Sequence, residues 1–182
     1  MNARLIFAIV GILALLAGTA LYLGTPRPNT GPVAVEADVA PGAILATRFA
    51  DRQGQSRTLG EFQGKVVVLN FWATWCAPCR EEMPGFSRLQ ERWRDRGVRF
   101  VGVSDEERPK VDRFADGIGI AYPLWTGDAE VMGLSKRLGN RLGVLPHTVL
   151  LDGDGRVLES RIGIYPEKLL EERLAAIVGK PG

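Results

Sequence analysis

The chain of 182 residues is 46% hydrophobic, 24% charged and 8% aromatic, with 22 glycines and 11 prolines. This composition is ordinary for a globular protein, and it excludes a disordered chain, a collagen-like repeat and a coiled coil. The formal net charge is +2, and because the basic residues form no tract, no nucleic-acid partner is indicated. One histidine and two cysteines are the whole supply of soft metal ligands.

The first 23 residues indicate export. Arg4 is followed by 19 uncharged residues, 5–23. As a helix this run would be roughly 28 Å long, close to the thickness of the hydrocarbon core of a bilayer. A cleaved signal peptide has a shorter apolar core, although residues 18–20 resemble a cleavage site. We therefore expect an uncleaved single-pass anchor in the inner (cytoplasmic) membrane. Arg4 and the terminal amine favour the cytoplasmic side, so the rest of the chain is expected in the periplasm.

A linker rich in proline and glycine is predicted at residues 24–42, followed by one domain at residues 43–182. The β-branched run of residues 65–72 predicts a strand buried on both faces, and apolar spacing predicts an amphipathic helix over residues 79–95. The other predicted elements are a hairpin of residues 47–50 and 56–59, a strand at 98–103, helices at 109–116 and 128–138, a hairpin of residues 148–151 and 156–161, and a final helix at 166–178. Together these elements predict a mixed α/β sandwich.

Both cysteines, Cys76 and Cys79, lie at the junction of the 65–72 strand and the 79–95 helix. A thiol at a helix N-terminus lies near the positive end of the helix dipole and near unpaired N–H groups, which favour its thiolate. Cys76 is therefore predicted to be the nucleophile, and Cys79, one turn inside the helix, the resolving thiol. Attack of Cys76 on a substrate disulfide would give a mixed disulfide, which Cys79 would then open. Such a site needs no cofactor besides the dithiol itself.

Other uses of the cysteine pair are less favoured or remain open. A structural disulfide that closes so short a loop would contribute only about 2 kcal/mol, against about 5 kcal/mol for a long loop. Zinc needs four ligands, and His147 is the only further soft ligand; a haem attachment site needs histidine where Arg80 stands. We predict no metal site. Copper binding by Cys76, Cys79 and His147 remains open as the alternative function of a thiol-binding protein.

Residues 66–84, VVVLNFWATWCAPCREEMP, resemble the TlpA-like group (TlpA/ResA/CcmG type) of membrane-anchored, thioredoxin-fold thiol–disulfide oxidoreductases. The resemblance extends over about residues 42–178. Trp75 before the first cysteine, Pro78 before the second and Pro84 further along match the wider thioredoxin pattern. The resemblance implies an α/β thioredoxin-like fold, with a central mixed β-sheet flanked by helices. Within that fold Trp75, Ala77 and Pro78 would frame the active site.

The same resemblance implies a second part of the site and a set of partners. Leu145-Pro146 resembles the cis-proline loop that faces the cysteines in this family, and Leu145 would pair with the backbone of the substrate. The implied substrates are protein thiols and disulfides, among them apocytochrome c cysteines, copper-site thiols and scrambled disulfides. The implied electron donor is a membrane thiol transporter of the DsbD/CcdA kind. We expect the reductase direction and a monomer.

Two features concern proton transfer at the site. Asn70 stands where thioredoxin has a buried aspartate, and it cannot exchange a proton at ordinary pH. Some members of the TlpA-like group use an acid from the segment after the next strand, so the resemblance implies Glu106 or Glu107 as a candidate proton relay. The alternative is that these acids, with Asp105, only favour the N-terminus of a helix. His147 is expected either near the dithiol, where it would make activity pH-sensitive, or as a partly exposed loop residue.

Overall fold

The computed structural model describes residues 39–179. The predicted anchor and most of the predicted linker lie outside these residues, as does the C-terminal tripeptide. Among the described residues, no helix combines the length and the apolar character needed to cross a bilayer. The anchor, the location and the domain bounds therefore stay predictions.

Residues 39–179 form seven strands and five α-helices. The strands are β1 (Arg48–Ala50), β2 (Ser56–Thr58), β3 (Val66–Phe71), β4 (Val98–Ser104), β5 (Leu124–Thr126), β6 (His147–Leu151) and β7 (Val157–Ile162). The helices are α1 (Pro41–Ala46), α2 (Ala77–Trp93), α3 (Arg108–Ile118), α4 (Ala129–Arg137) and α5 (Glu167–Val178). Short 3-10 turns occupy Leu59–Phe62 and Arg94–Arg96. Every predicted element is confirmed to within two residues of its predicted bounds.

Two elements were not predicted. Helix α1 begins at Pro41, inside the expected linker, because proline is compatible with the first turn of a helix and Ile44 is buried there. Strand β5 has only three residues, all buried, and a run so short carries no periodic signal. Helix α1 thus includes the last two residues of the predicted linker.

The strands form one mixed sheet in the order β2-β1-β5-β4-β3-β6-β7. Strands β3, β4 and β5 are parallel neighbours, whereas β6 runs antiparallel to β3 and β7 antiparallel to β6. Strand β1 pairs antiparallel with both β2 and β5. Since β3 lies near the centre of the sheet with helices over both faces, residues 67–71 are all buried. This arrangement confirms the expected central mixed sheet flanked by helices.

Side chains that alternate along β3 face two separate hydrophobic layers. Leu69 and Phe71 face the layer built with α1 and α4, which includes Ile44. Val68 faces the other layer, which contains both cysteines and the buried sides of α2, α3 and α5. We call these the α4 layer and the dithiol layer. Because side chains alternate along a strand, only every second residue of a strand faces the layer that contains the dithiol.

Helix α2 connects the sheet to the cysteines. It begins directly after Cys76, two residues earlier than predicted, with Pro78 in its first turn. Its buried side includes Met83, Phe86 and Leu89, which pack in the dithiol layer at the spacing of an amphipathic helix. The helix continues through Pro84 to Trp93.

Gly102 of β4 allows Trp72 and Leu124 to pack closely over the sheet. A Cβ atom at this position would lie 2.7 Å from Leu124 Cδ2 and 3.0 Å from Trp72 Nε1. We expect Gly102→Ala to lower the free energy of unfolding by about 1–3 kcal/mol, since buried side chains must move to admit the methyl group.

The matched control is Gly117→Ala in α3, where a Cβ atom would meet nothing within 4 Å. Alanine there should raise the free energy of unfolding by about 0.5–1 kcal/mol, because glycine is a poor helix former. Urea denaturation of both variants checks the pair of expectations. A Gly102→Ala variant as stable as the parent chain would contradict the close packing of Trp72 on β4.

Candidate active site

The two cysteines form a disulfide at the N-terminus of α2. Cys76 is the N-cap residue, and its Sγ accepts a hydrogen bond of 3.3 Å from the backbone N–H of Cys79. Cys76 keeps 4% of its surface exposed and Cys79 none. In the reduced state the same N–H and the helix dipole would stabilise a thiolate at Cys76. The geometry therefore makes Cys76 the sulfur that an external thiol or disulfide can reach.

The residues around the disulfide differ in exposure. Trp75, directly before Cys76, is 70% exposed. Ala77 is also exposed, and Pro78 is half-buried in the first turn of α2. Trp72 is instead buried, with its ring 5.0 Å from that of Phe114. Of the two tryptophans, it is Trp75 that offers an apolar surface beside the reactive sulfur.

A carboxylate holds the loop that leads to Cys76. Glu106 accepts hydrogen bonds from the backbone N–H of Thr74, at 2.5 Å, and from its hydroxyl, at 2.9 Å. Lys110 lies 3.5 Å from the same carboxylate. Asp105 is exposed, and Glu107 is the exposed N-cap residue of α3. The structure thus gives Glu106 a role in holding the loop, while proton relay by Glu106 or Glu107 stays a prediction.

The segment of Leu145 and Pro146 lies beside the same end of the sheet. The Leu145–Pro146 peptide bond is cis. Strand β6 follows at once and runs antiparallel to β3, so that His147 lies opposite Phe71. Because β3 ends at Phe71 and the chain continues to Cys76, this register brings the proline segment next to the dithiol. Leu145 itself is half-buried and packs against the cluster that contains both cysteines.

A buried acid that sequence reasoning missed lies one helical turn beyond Cys79. Glu82 is 6% exposed, and its carboxylate accepts hydrogen bonds of 2.8 Å from the Asn70 amide and from the backbone N–H of Tyr165. The Asn70 amide also donates to the Thr148 hydroxyl at 3.0 Å. Burial is the main cause that raises the pKa of Glu82, from 4.5 to about 7.

Glu82 can therefore exchange a proton near neutral pH. A group with a pKa near the working pH is well suited to general acid–base transfer. Residues 79 and 82 lie three positions apart on a helix, hence on one side of it. The signal was present in the sequence, because position 82 lies between Cys79 and Phe86 on the apolar side of α2. It was obscured by the neighbouring Glu81, which is exposed.

His147 occupies neither of its predicted environments. It is fully buried, and its ring stacks on Phe71 at 5.2 Å in the α4 layer, on the opposite face of the sheet from the cysteines. Both ring nitrogens have partners, the hydroxyls of Ser135 and Ser160. The expectation of a histidine near the dithiol is wrong, and so is that of a partly exposed one. The reason is that successive side chains of a strand point to opposite faces of the sheet, and the position of His147 in β6 directs its ring to the face without the cysteines.

The copper alternative needed Cys76, Cys79 and His147 to converge. The structure does not bring them together, because the histidine lies on the other face of the sheet. Both of its ring nitrogens are also hydrogen-bonded to serine hydroxyls. Within residues 39–179, no group of three or more His, Cys, Asp or Glu side chains is arranged to hold a metal ion.

Comparisons with known proteins agree with this geometry. The sequence model of the AhpC/TSA family matches residues 37–160. The chain is 32% identical over 179 residues to the thiol-disulfide oxidoreductase ResA of Geobacillus thermodenitrificans, with 96% of each chain covered. It is 32% identical over 131 residues to the thioredoxin-like protein YneN of Bacillus subtilis, covering 66% of this chain and 70% of YneN.

A solved structure is also similar. It is a thiol:disulfide interchange protein of the thioredoxin family from Chlorobium tepidum, with a TM-score of 0.64 and 25% identity, covering 85% of this chain and 99% of that one. The sheet order, the disulfide at the start of α2 and the cis-proline segment beside it define a thioredoxin-fold oxidoreductase.

The chain belongs to the AhpC/TSA family, among the thiol–disulfide oxidoreductases of the ResA type. Its activity is protein thiol–disulfide exchange. The expected resemblance is therefore confirmed, and so is the expected fold of the described residues.

The raised pKa of Glu82 predicts a pH-dependent contribution to stability. Between about 4.5 and about 7 the folded protein binds the Glu82 proton more tightly than the unfolded chain does. The contribution of Glu82 to the free energy of unfolding therefore decreases as the pH rises through this window. The difference between the parent chain and Glu82→Gln, measured by urea denaturation from pH 4 to 8, should decrease by up to about 3 kcal/mol.

Glu81→Gln is the matched control, because this neighbouring carboxylate is exposed on the same helix. Its difference from the parent chain should stay nearly constant over that pH range. A Glu82→Gln difference that is equally constant would show that the Glu82 carboxyl has an ordinary pKa.

Proposed function

We propose that the protein is a reductase of protein disulfides that works outside the cytoplasm while tethered to the membrane. In this proposal Cys76 is the nucleophile and Cys79 the resolving thiol, and the segment of Leu145 and Pro146 binds the polypeptide beside them. The uncharged run of residues 5–23 supports the tether. Similarity along 96% of ResA supports the same overall organisation.

The reaction transfers two electrons and needs no group from outside the chain. The Cys76 thiolate attacks one sulfur of the substrate disulfide, and the other sulfur leaves as a thiolate and takes up a proton. Cys79 then loses its proton and attacks the Cys76 sulfur. The second substrate thiol is released, and the Cys76–Cys79 disulfide remains. A membrane thiol transporter of the DsbD/CcdA kind would return the two electrons.

The observation that carries the reductase direction is the buried Glu82. The resolving step needs a base near Cys79, and Glu82 lies one helical turn further along with a pKa raised to about 7. Once Glu82 is ionised, its negative charge also destabilises a thiolate on either cysteine, because like charges repel. A strong oxidant instead depends on a stabilised reduced form. Glu82 therefore supports a low reduction potential.

The midpoint potential of the full chain in detergent tests this direction. It is measured in glutathione buffers from tryptophan fluorescence, since Trp72 and Trp75 lie near the disulfide, and mass spectrometry confirms the redox state. We expect a value near that of thioredoxin, about −270 mV. A value near about −120 mV, as in DsbA, would make the protein a disulfide donor and contradict the proposal.

Glu82→Gln provides a second comparison at pH 8. Removing the carboxylate should raise the potential, because the reduced form no longer has a buried negative charge beside it. Glu81→Gln should leave the potential unchanged. A fall in the potential of Glu82→Gln would contradict the role given to this acid.

Substrate trapping tests the roles of the two cysteines. Cys79→Ala should accumulate a mixed disulfide between Cys76 and an oxidised Cys-x-x-Cys-His peptide, the sequence of a c-type haem attachment site. Cys76→Ala should form none, because the buried Cys79 cannot be reached from outside. If Cys76→Ala accumulated the mixed disulfide and Cys79→Ala did not, Cys79 would be the nucleophile and Cys76 the resolving thiol.

The peptide also tests the substrate class. If apocytochrome c is the substrate, reduction of the Cys-x-x-Cys-His peptide should be faster than reduction of a peptide of equal length in which the histidine is replaced by alanine. Equal rates would remove the argument for cytochrome c maturation and favour general disulfide reduction.

A further inference from the structure

A chain of buried polar side chains surrounds the residue that follows the cis-proline. His147 Nδ1 lies 2.9 Å from the Ser135 hydroxyl, and His147 Nε2 lies 2.8 Å from the Ser160 hydroxyl. The Ser160 hydroxyl donates to the carbonyl of Leu138 at 2.9 Å. The Asn140 amide donates to Ser135 at 3.0 Å. All four side chains are nearly or fully buried in the described structure.

These contacts fix the direction of every hydrogen bond. The Ser160 hydroxyl donates its one hydrogen bond to the Leu138 carbonyl, so it can only accept a hydrogen bond from His147. The donor in that bond is Nε2–H, and Nε2 is therefore the protonated ring nitrogen. Nδ1 of the neutral ring is then an acceptor, and the Ser135 hydroxyl donates to it. Ser135 in turn accepts from Asn140. The chain is thus complete with a neutral, Nε2-protonated imidazole.

The proline segment is held on one side by the polar chain and on the other by a backbone hydrogen bond. The Asn140 side chain accepts from the backbone N–H of Val144, at 2.9 Å, and donates to its carbonyl, at 2.8 Å. Val144 directly precedes Leu145. On the other side, the Pro146 carbonyl accepts from the N–H of Gly163 at 2.8 Å. Leu145 and Pro146 therefore lie between Val144 and His147, both of which the polar chain holds by hydrogen bonds.

We propose that His147 is a positioning residue, which uses its two hydrogen bonds to serines to hold Leu145 and Pro146 where a polypeptide substrate meets the dithiol. The proposal rests on thiol–disulfide exchange at Cys76 and on the proposed binding of the polypeptide beside Leu145 and Pro146, but not on the direction of electron flow. It gives His147 no contact with substrate and no part in proton transfer to the cysteines, from which the sheet separates it.

His147 is a polar residue in a hydrophobic layer, where an apolar side chain of similar size would also fit. A polar ring in the α4 layer costs free energy unless both nitrogens are satisfied. Here both are, and burial lowers the pKa of His147 to about 4. The ring therefore stays neutral throughout the neutral pH range. Unlike an apolar residue, the imidazole makes two directional hydrogen bonds, one to Ser135 in α4 and one to Ser160 in β7. These two bonds fix the position of the ring and of the backbone that carries it.

His147→Phe tests the proposal directly, because phenylalanine keeps an aromatic ring on Phe71 and removes both hydrogen bonds. We expect kcat/KM for reduction of a polypeptide disulfide such as insulin to fall about tenfold, since the binding segment is misplaced. The reaction with the small aromatic disulfide DTNB should change by less than about twofold, because so small a reagent does not need that segment. The midpoint potential should not move.

Ser135→Ala in α4 provides a second, less disruptive variant, and Arg141→Ala is an exposed control in the loop between α4 and β6 that should change neither rate. Ser135→Ala should show the same selective loss, of about threefold. The double variant should be no worse than His147→Phe alone, because both changes break one network. Equal losses with insulin and DTNB, additive losses in the double variant, or no loss with insulin would overturn the proposal.

The tautomer can be tested without any substitution. Since the chain has a single histidine, the ring nitrogens of the full chain in detergent give one unambiguous pair of ¹⁵N signals. We expect Nε2 to be protonated and Nδ1 unprotonated, unchanged from pH 8 to pH 6. A protonated Nδ1 in this range would overturn the hydrogen-bond chain from which the proposal is argued.

Discussion

The site depends first on the pairing of β3 with β6. The antiparallel register places His147 opposite Phe71, so the peptide bond before His147 lies beside the point where β3 continues towards Cys76. Neither half of the site would be complete without this pairing, because the cysteines follow one strand and the cis-proline precedes the other. The register is enforced by alternation, since slipping β6 by one residue would exchange its two buried faces.

Most of the fold was predictable from local patterns. The run around β3, the spacing in α2 and the turn chemistry between β6 and β7 are each strong signals, and each identified its element. The two missed elements, α1 and β5, are too short to show a period. Their existence depends on tertiary contacts, the burial of Ile44 and the pairing of β5 with β4.

The site was predictable to a smaller extent. The cysteine pair was identified from its spacing and its place between strand and helix, and the proline segment from a family resemblance alone. Glu82 was missed and His147 was misplaced for a common reason, which is that a polar residue in a buried position is identified only when its partners are known. The partners of Glu82 come from β3 and from Tyr165, 83 residues further along the chain, and those of His147 come from α4 and β7.

Adjacent residues of β6 face opposite layers of the molecule. Thr148 contacts Asn70 and, through it, the Glu82 carboxylate on the dithiol side, whereas His147 contacts two serines on the α4 side. The hydrogen-bond partners of Thr148 and those of His147 therefore lie on opposite faces of the sheet, although the two residues are neighbours in one strand. Leu145, two residues before His147, packs against both layers, so the proline segment is the place where the two environments meet.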